Sequence, residues 1–268
     1  MFDPNAEKKR GVKLNRSRIK KTIRNIRNNI YELLWLIFAP HKLKYSLRLR
    51  FFQIFHSLSP VVTVDEGATV VLVGCWSIFT LEKWFNAIGA SGKLIIVEAD
   101  PLSYSILVQE IMQRKNHQEI MLHNIAAWSE KAELTFEKAD RPGSNKVEET
   151  NVHYEELIGT YIEKIKVPAN TLDNILSNDN VGKIDHIQLN INGAEIEALK
   201  GLEKTISLFH PSFSILSETK SDETGEPVSG MVVSFLEGKG YDVKLHEHMP
   251  QSPDREFASP KNKNKLTV

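Results

Sequence analysis

The feature that most constrains the fold of this chain is a strand that runs directly into a helix in residues 183–201. The first half of this segment is mostly apolar and β-branched, as in a strand that is buried on both faces. Gly193 interrupts it, and apolar residues then recur at three- and four-residue spacing, which is typical of an amphipathic helix. Ligands of such α/β units bind where strand carboxyl ends meet helix N-termini. Asn190, Asn192 and Glu195 occupy this junction and are therefore the first candidates for chemistry.

A second junction of the same kind lies upstream. Residues 69–73 predict a buried strand, Gly74 begins a turn, and a helical pattern then leads to a second strand at 93–98. This second strand ends at Glu98, about one βα unit after the glycine, as in nucleotide-binding βαβ units. In that arrangement the glycine lets the backbone approach the ligand, and the acid accepts hydrogen bonds from ribose hydroxyls. Because Gly74 stands where several glycines are usual, this junction alone is a weak signal.

Five short motifs include these two junctions and continue between them. In chain order they are Val71-Leu-Val-Gly-Cys-Trp-Ser77, Ile96-Val-Glu-Ala-Asp-Pro101, Asn124-Ile-Ala-Ala-Trp-Ser129, Val167-Pro-Ala-Asn-Thr-Leu-Asp-Asn174 and Ile187-Gln-Leu-Asn-Ile-Asn-Gly-Ala-Glu195. Together they resemble the FkbM family, whose members look like S-adenosylmethionine-dependent methyltransferases, mostly of sugar and natural-product hydroxyls. The resemblance covers roughly residues 61–250. It implies an α/β fold: a doubly wound, mostly parallel, seven-stranded Rossmann-like methyltransferase sheet with helices on both faces.

The resemblance also implies S-adenosylmethionine as the cofactor and a position for each motif residue. Gly74 would lie under the methionine part of the cofactor, and Glu98 would hold its ribose. Asn124 and Ala126 would lie beside the adenine, and Asn190 would face the methyl group that is transferred. Three neighbours of the glycine and the acid are assigned to the cofactor site with them: Cys75, Trp76 and Ala99. The chemistry of an isolated cysteine also predicts a small buried side chain there rather than a nucleophile.

Two of the motifs depart from the usual FkbM pattern. The first usually reads D-x-G-A-N-x-G, and this chain lacks its acid, its asparagine and its second glycine, with Trp76 in the place of the asparagine. An indole there would either stack on a ligand or fill its space. The strand motif usually reads I-K-x-D-x-E-G-A-E, and here Gln188, Asn190 and Asn192 replace its lysine, aspartate and glutamate. Asparagine keeps an acceptor but cannot serve as a general base.

Three functions remain open. The first is O-methylation of a glycan or small-metabolite hydroxyl, because methyl transfer from a sulfonium mainly requires alignment of the accepting oxygen. Asn190, Glu195 and Glu218 are then the candidate catalytic residues, although the helix dipole alone would favour an acid at Glu195. The second is a catalytically inactive binding or scaffold protein that keeps the methyltransferase fold, either with or without association with a membrane. The third is a different nucleotide-using enzyme on the same sheet.

Charge and composition divide the chain into three regions. Residues 1–60 carry 14 Lys and Arg against 3 Asp and Glu, which leaves 20 against 31 elsewhere, and their pattern predicts a basic helical extension. The methyltransferase-like domain is placed at 61–250, and residues 251–268 are rich in polar residues that predict a disordered tail. Within the domain, 140–151 is predicted as a polar loop over the site and 150–166 as a helix before a strand.

The basic extension has three interpretations. In the first, the extension packs on the acidic domain or pairs in a homodimer. In the second, residues 1–58 contact an anionic membrane surface. The third, nucleic-acid binding, is ranked last because the extension lacks regular aromatic interleaving.

The sequence shows no apolar run of transmembrane length, and one cysteine suits a reducing compartment. We therefore expect a cytoplasmic protein, with a peripheral membrane location as the alternative. The nine histidines show no metal-ligand spacing, so no metal site is predicted.

Overall fold

The computed structural model describes residues 64–75, 78–113, 120–139, 144–154, 160–179, 181–217, 219–246 and 254–260. The predicted basic extension lies outside these ranges, and so do parts of the predicted C-terminal tail. All described residues belong to one of the two units into which the chain divides. Within these ranges, no helix combines the length and the apolar character that a membrane crossing requires.

Strands and helices alternate along most of the described chain. In order, they are β1 (Thr69–Val73), α1 (Ile78–Ile88), β2 (Lys93–Val97), α2 (Pro101–Met112), β3 (Ile120–His123), β4 (Ala126–Ala127), β5 (Ala132–Ala139), β6 (Lys146–Val147), β7 (Val152–Tyr154), β8 (Tyr161–Asn170), α3 (Leu172–Asn178), β9 (His186–Leu189), α4 (Glu195–Lys200), α5 (Glu203–Phe209), β10 (Ser212–Ser217), β11 (Thr219–Ser221), α6 (Val228–Gly238), β12 (Tyr241–His246) and β13 (Asp254–Pro260). A 3-10 turn, Glu148–Thr150, follows β6.

Seven of these strands form the central sheet, in the order β12-β13-β10-β9-β1-β2-β3. The five strands from β10 to β3 are mutually parallel. β13 runs antiparallel to both of its neighbours, β10 and β12. The predicted mostly parallel, seven-stranded sheet is therefore confirmed.

The seventh strand comes from a segment that was predicted to be disordered. β13 lies within residues 251–268, and its seven residues are inserted between β10 and β12. The prediction of a disordered tail is thus wrong for residues 254–260. The composition of the segment is polar, but the backbone N–H and C=O groups of this strand pair on both sides, which composition does not reveal.

Helices cover both faces of the central sheet, as predicted. All five residues of β1 are buried, and alternate side chains along a strand point to opposite faces. Val71 and Val73 pack in a cluster with residues of α3, α4, α5 and α6. Val70 and Leu72 pack on the other face, with residues of α1 and α2. A strand that is apolar on both faces is stable only between two such layers.

A second sheet, in the order β4-β8-β5-β6, lies beside the central one. Its buried side chains form an apolar cluster with Ala194, and Ala99 and Ile191 pack against the cluster. Ala99 and Ile191 lie within two residues of the ends of β2 and β9, so the second sheet adjoins that edge of the central sheet. The prediction of a helix over 150–166 is wrong, because β8 pairs with β5 along most of its length and β7 pairs with β11.

Candidate active site

Three strands of the central sheet end at the same level. Val73, the last residue of β1, is paired with the last residue of β2 on one side and of β9 on the other. Gly74, Glu98 and Asn190 therefore leave the sheet together, at the edge where α/β folds bind ligands. This placement of the three residues at one edge was predicted from the two strand–helix junctions, and it is confirmed.

A pocket lies at this edge. Gly74, Glu98, Ala99, Ala126 and Asn190 all line it. Half of the ten predicted site residues thus meet in one cavity. The rest of its wall includes apolar residues of β1, of β2 and of the neighbouring second sheet, and residues of the loops between strands. Among the described residues that line the pocket, the carboxyl group of Glu98 is the single ionisable one.

Gly74 allows two strand ends to approach each other closely. Its φ is +79°, in the left-handed region that favours glycine. A Cβ atom at this position would lie 2.1 Å from the backbone oxygen of Asn190. The loop after β1 and the loop after β9 can therefore take these positions only with glycine at 74.

Glu98 is buried and accepts backbone hydrogen bonds with both carboxylate oxygens. The N–H of Cys75 donates to its Oε2 at 2.8 Å, and the N–H of Asp100 donates to its Oε1 at 2.9 Å. Burial raises the pKa of the Glu98 carboxyl from its ordinary 4.5 to about 7, although the N–H groups of Asp100 and Cys75 oppose the rise. Each carboxylate oxygen has a second acceptor site, so the group retains capacity for ribose hydroxyls.

Cys75 and Asn124 do not line the pocket, but they lie next to residues that do. The side chain of Cys75 is buried in the apolar cluster on the α1–α2 face, as expected for a small structural residue. The Asn124 amide donates to the backbone oxygens of Glu98 at 2.9 Å and Ala99 at 3.3 Å. Asn124 therefore holds the end of β2 in place, and its predicted contact with adenine would have to come from its remaining oxygen.

Glu195 is fully buried at the start of α4. Its Oε1 accepts from the N–H of Ile191 at 3.2 Å, and its Oε2 accepts from the N–H of Gly193 at 2.8 Å. Both oxygens thus bind the loop that connects β9 to α4, and the side chain is not part of the pocket wall. This geometry favours the structural interpretation of Glu195 at the helix N-terminus over a contact with substrate. Its predicted catalytic role stays a prediction.

Two residues of the site were not predicted. Asp100 caps α2, because its carboxylate accepts from the N–H groups of Leu102 and Ser103. The Asn145 amide donates to Asp100 Oδ2 at 3.3 Å, and Asn145 itself lines the pocket. The Asp-Pro pair before an apolar helical pattern is a sequence signal for such a cap. For Asn145, the sequence shows only a polar loop.

Two predicted site residues, Trp76 and Glu218, lie outside the described ranges. Glu218 falls between the end of β10 and the start of β11. For metal binding, the described parts of the chain contain no group of three or more His, Cys, Asp and Glu side chains that could hold an ion.

The seven-stranded, mostly parallel sheet, the glycine after β1 and the acid after β2 fit the Rossmann-like methyltransferase fold that the motifs imply. The family model for the methyltransferase FkbM domain matches residues 67–243. The chain therefore belongs to the FkbM methyltransferase domain family, as its motifs predicted. No curated protein matches the sequence significantly.

One solved structure shows a similar fold at low sequence identity, and two others are less similar. The methyltransferase FkbM from Methylobacillus flagellatus KT is 15% identical with a TM-score of 0.50, over 75% of this chain and 45% of that one. Fibrillarin from Aeropyrum pernix, with natively bound S-adenosyl-L-methionine, is 13% identical with a TM-score of 0.45, over 78% and 74%. A SAM-dependent methyltransferase from Aquifex aeolicus is 14% identical with a TM-score of 0.39, over 77% and 87%. The chain thus spans less than half of the Methylobacillus protein.

Proposed function

We propose that this protein is an S-adenosylmethionine-dependent methyltransferase that acts on a hydroxyl group of a glycan or a small metabolite. One observation carries the proposal: Gly74, Glu98 and Asn190 leave three adjacent parallel strands at one level and line one pocket. The FkbM family membership supports the same activity.

The described residues fit the cofactor. The Glu98 carboxylate accepts backbone N–H groups, and two oxygens with about four acceptor sites in all still have capacity for a ribose hydroxyl. Ile125 and Ala126, with Phe136 of the second sheet, offer an apolar surface that suits an adenine ring. Gly74 lines the same pocket, where the resemblance places the methionine part. When bound, the cofactor supplies an electrophilic methyl group on a sulfonium.

The chain's own contribution to the reaction would be alignment and exclusion of water. Asn190 and Asn192 line the pocket after β9 and present carboxamides, which can donate to and accept from a hydroxyl. Neither can remove a proton as a carboxylate would. These two asparagines thus offer positioning rather than general base catalysis, and holding an oxygen in line with a methyl group can supply much of the rate.

Cofactor binding tests this proposal directly. We expect S-adenosylmethionine to bind the full-length protein and raise its melting temperature, because a ligand of the folded state stabilises that state by mass action. Glu98→Ala should weaken binding roughly tenfold to a hundredfold, the effect of losing hydrogen bonds to a charged acceptor. Glu130→Ala, at an exposed turn outside the pocket, is the matched control. Full affinity in Glu98→Ala would contradict the placement of the ribose.

A second candidate function is a non-catalytic binding or scaffold protein on the same fold. The observation that favours it is the neutral pair Asn190 and Asn192, where the family usually carries two acids. A folded wild-type protein that does not bind S-adenosylmethionine at millimolar concentration would select this alternative. Under either function, peripheral membrane contact or homodimer formation through residues 1–58 is a separate proposal that rests on their charge.

A further inference from the structure

One hydrogen bond crosses between the two sheets at the pocket. The side-chain amide of Asn192, just after β9, donates to the backbone oxygen of Asn145 at 2.6 Å. A backbone oxygen only accepts, so the group at position 192 must be a donor. Asn192 has φ of +55°, a left-handed conformation that asparagine adopts more readily than most residues with a side chain.

Asn145 is held on its other sides as well. Its side-chain oxygen accepts from the N–H of Ala139, the last residue of β5, at 2.8 Å. Its side-chain amide donates to Asp100 at the start of α2 at 3.3 Å. Lys138 adds a second link to α2, with its Nζ 3.9 Å from Asp100 Oδ1. Asn145 therefore joins the end of β5, the start of α2 and the loop after β9.

These three segments surround the pocket. Asn145 and Asn192 line it, together with Val147 of β6 and Phe136 of β5. Gly74 and Glu98, which follow the ends of β1 and β2, line it as well. The bond between Asn145 and Asn192 thus connects the wall formed by β5 and β6 to the wall formed by the central sheet.

We propose that Asn192 is a positioning residue that ties β5 and β6 against the end of β9 through Asn145, and so limits cofactor entry and release. The proposal rests on the proposed cofactor pocket. It also explains one departure from the family pattern. The usual glutamate at position 192 has no donor when ionised and would face the Asn145 oxygen with a second acceptor. The change from glutamate to asparagine removes a charge and creates the closing bond.

The sharpest test is Asn192→Asp, which keeps the size of the side chain and removes its donor. In the free full-length protein, we expect amide hydrogen exchange at residues 144–147 to become about five- to tenfold faster, the equivalent of one net hydrogen bond. Asn151→Asp is the matched control, because Asn151 is also left-handed, with φ of +49°, but is exposed and outside the pocket. Its exchange at 144–147 should equal that of the wild type.

Binding kinetics separate a tie from general damage to the pocket. In Asn192→Asp, association and dissociation of S-adenosylmethionine should both accelerate, so that Kd changes less than either rate. Slower association with faster dissociation would mean a damaged pocket and would overturn the proposal. If Asn192→Asp does not fold, Asn145→Ala replaces it, since it removes the bonds to Ala139 and Asp100 and should raise the same exchange rates.

The outcomes also separate this inference from the proposed function. If the wild type binds the cofactor and the variants show unchanged amide hydrogen exchange at 144–147, the proposed role of Asn192 is overturned. The proposed methyltransferase function then still stands. Faster exchange in the variants, with a wild type that binds no cofactor, confirms the contact but overturns its role in cofactor entry together with the proposed function.

Discussion

The carboxylate of Glu98 accepts the backbone N–H of Cys75 at 2.8 Å, and this bond links the end of the second strand to the loop after the first. The other carboxylate oxygen accepts the N–H of Asp100, at the start of the next helix. One buried acid therefore fixes both loops that a cofactor would contact. Because burial also raises its pKa to about 7, its charge state changes near neutral pH.

The first prediction concerns the pH dependence of stability. Folded Glu98 has a pKa of about 7, against an ordinary 4.5, so between these values the folded state binds more protons than the unfolded state. Its contribution to stability is thus fully present below pH 4.5 and is lost as the pH rises through 7. Relative to Glu98→Gln, wild type should lose roughly 3 kcal/mol across this range, which urea unfolding at several pH values would measure.

The glutamine variant has an offset of its own, because one of the two backbone N–H groups would face its amide nitrogen. This offset does not depend on pH. The test is therefore how the difference in free energy of unfolding between the wild type and Glu98→Gln changes with pH. Glu130→Gln, at an exposed position, is the control, and its free energy of unfolding should change with pH in parallel with that of the wild type. A difference between wild type and Glu98→Gln that stays constant from pH 4.5 to 8 would contradict the raised pKa.

The second prediction concerns Gly74. Gly74→Ala should be strongly destabilising, because it adds left-handed strain and a Cβ atom 2.1 Å from the Asn190 oxygen. Gly225→Ala separates the two effects, since Gly225 has φ of +71° and nothing within 4 Å of its added Cβ. We expect the Gly225 change to cost about 1 kcal/mol and the Gly74 change about 1–3 kcal/mol more, in urea unfolding. Equal losses would show that the two loops separate easily.

The site edge was predictable because it depends on local patterns and one general rule. Apolar runs ending in Gly74, Glu98 and Asn190 identify buried parallel strands, and parallel strands present their carboxyl ends at one edge. The roles of Asn124 and Glu195 were less predictable. Their side chains bind backbone groups of adjacent loops, and the direction in which a polar side chain points depends on packing.

Strands that depend on distant partners were not predictable. The first half of β8 is exposed, and apolar and polar residues alternate only from Lys164 to Ala169, so the strand conformation of its first residues comes from pairing with β5. β13 likewise depends on β10 and β12. Asn145 binds Asp100 and Asn192, which are 45 and 47 residues away, and no local pattern reports such contacts.

The third prediction concerns the basic extension. If residues 1–58 contact membranes, the full-length protein should sediment with vesicles of anionic lipid at low salt and be released at high salt, where charges are screened. Vesicles of neutral lipid are the control. A protein that ignores anionic vesicles at low salt leaves the intramolecular and dimer interpretations, which sedimentation equilibrium distinguishes by mass.

The fourth prediction concerns Gln188, which stands where the family usually has lysine. Its side-chain oxygen accepts the indole N–H of Trp84 at 2.8 Å, and the indole stacks on His186 with ring centroids 4.8 Å apart. Gln188→Lys would place a cationic donor against the indole donor, and it should reduce the free energy of unfolding by about 1–3 kcal/mol. In a Trp84→Phe background the indole donor is absent, so the same substitution should cost clearly less. A coupling energy near zero between the two positions, measured by urea unfolding of both single variants and the double variant, would show that the bond contributes nothing.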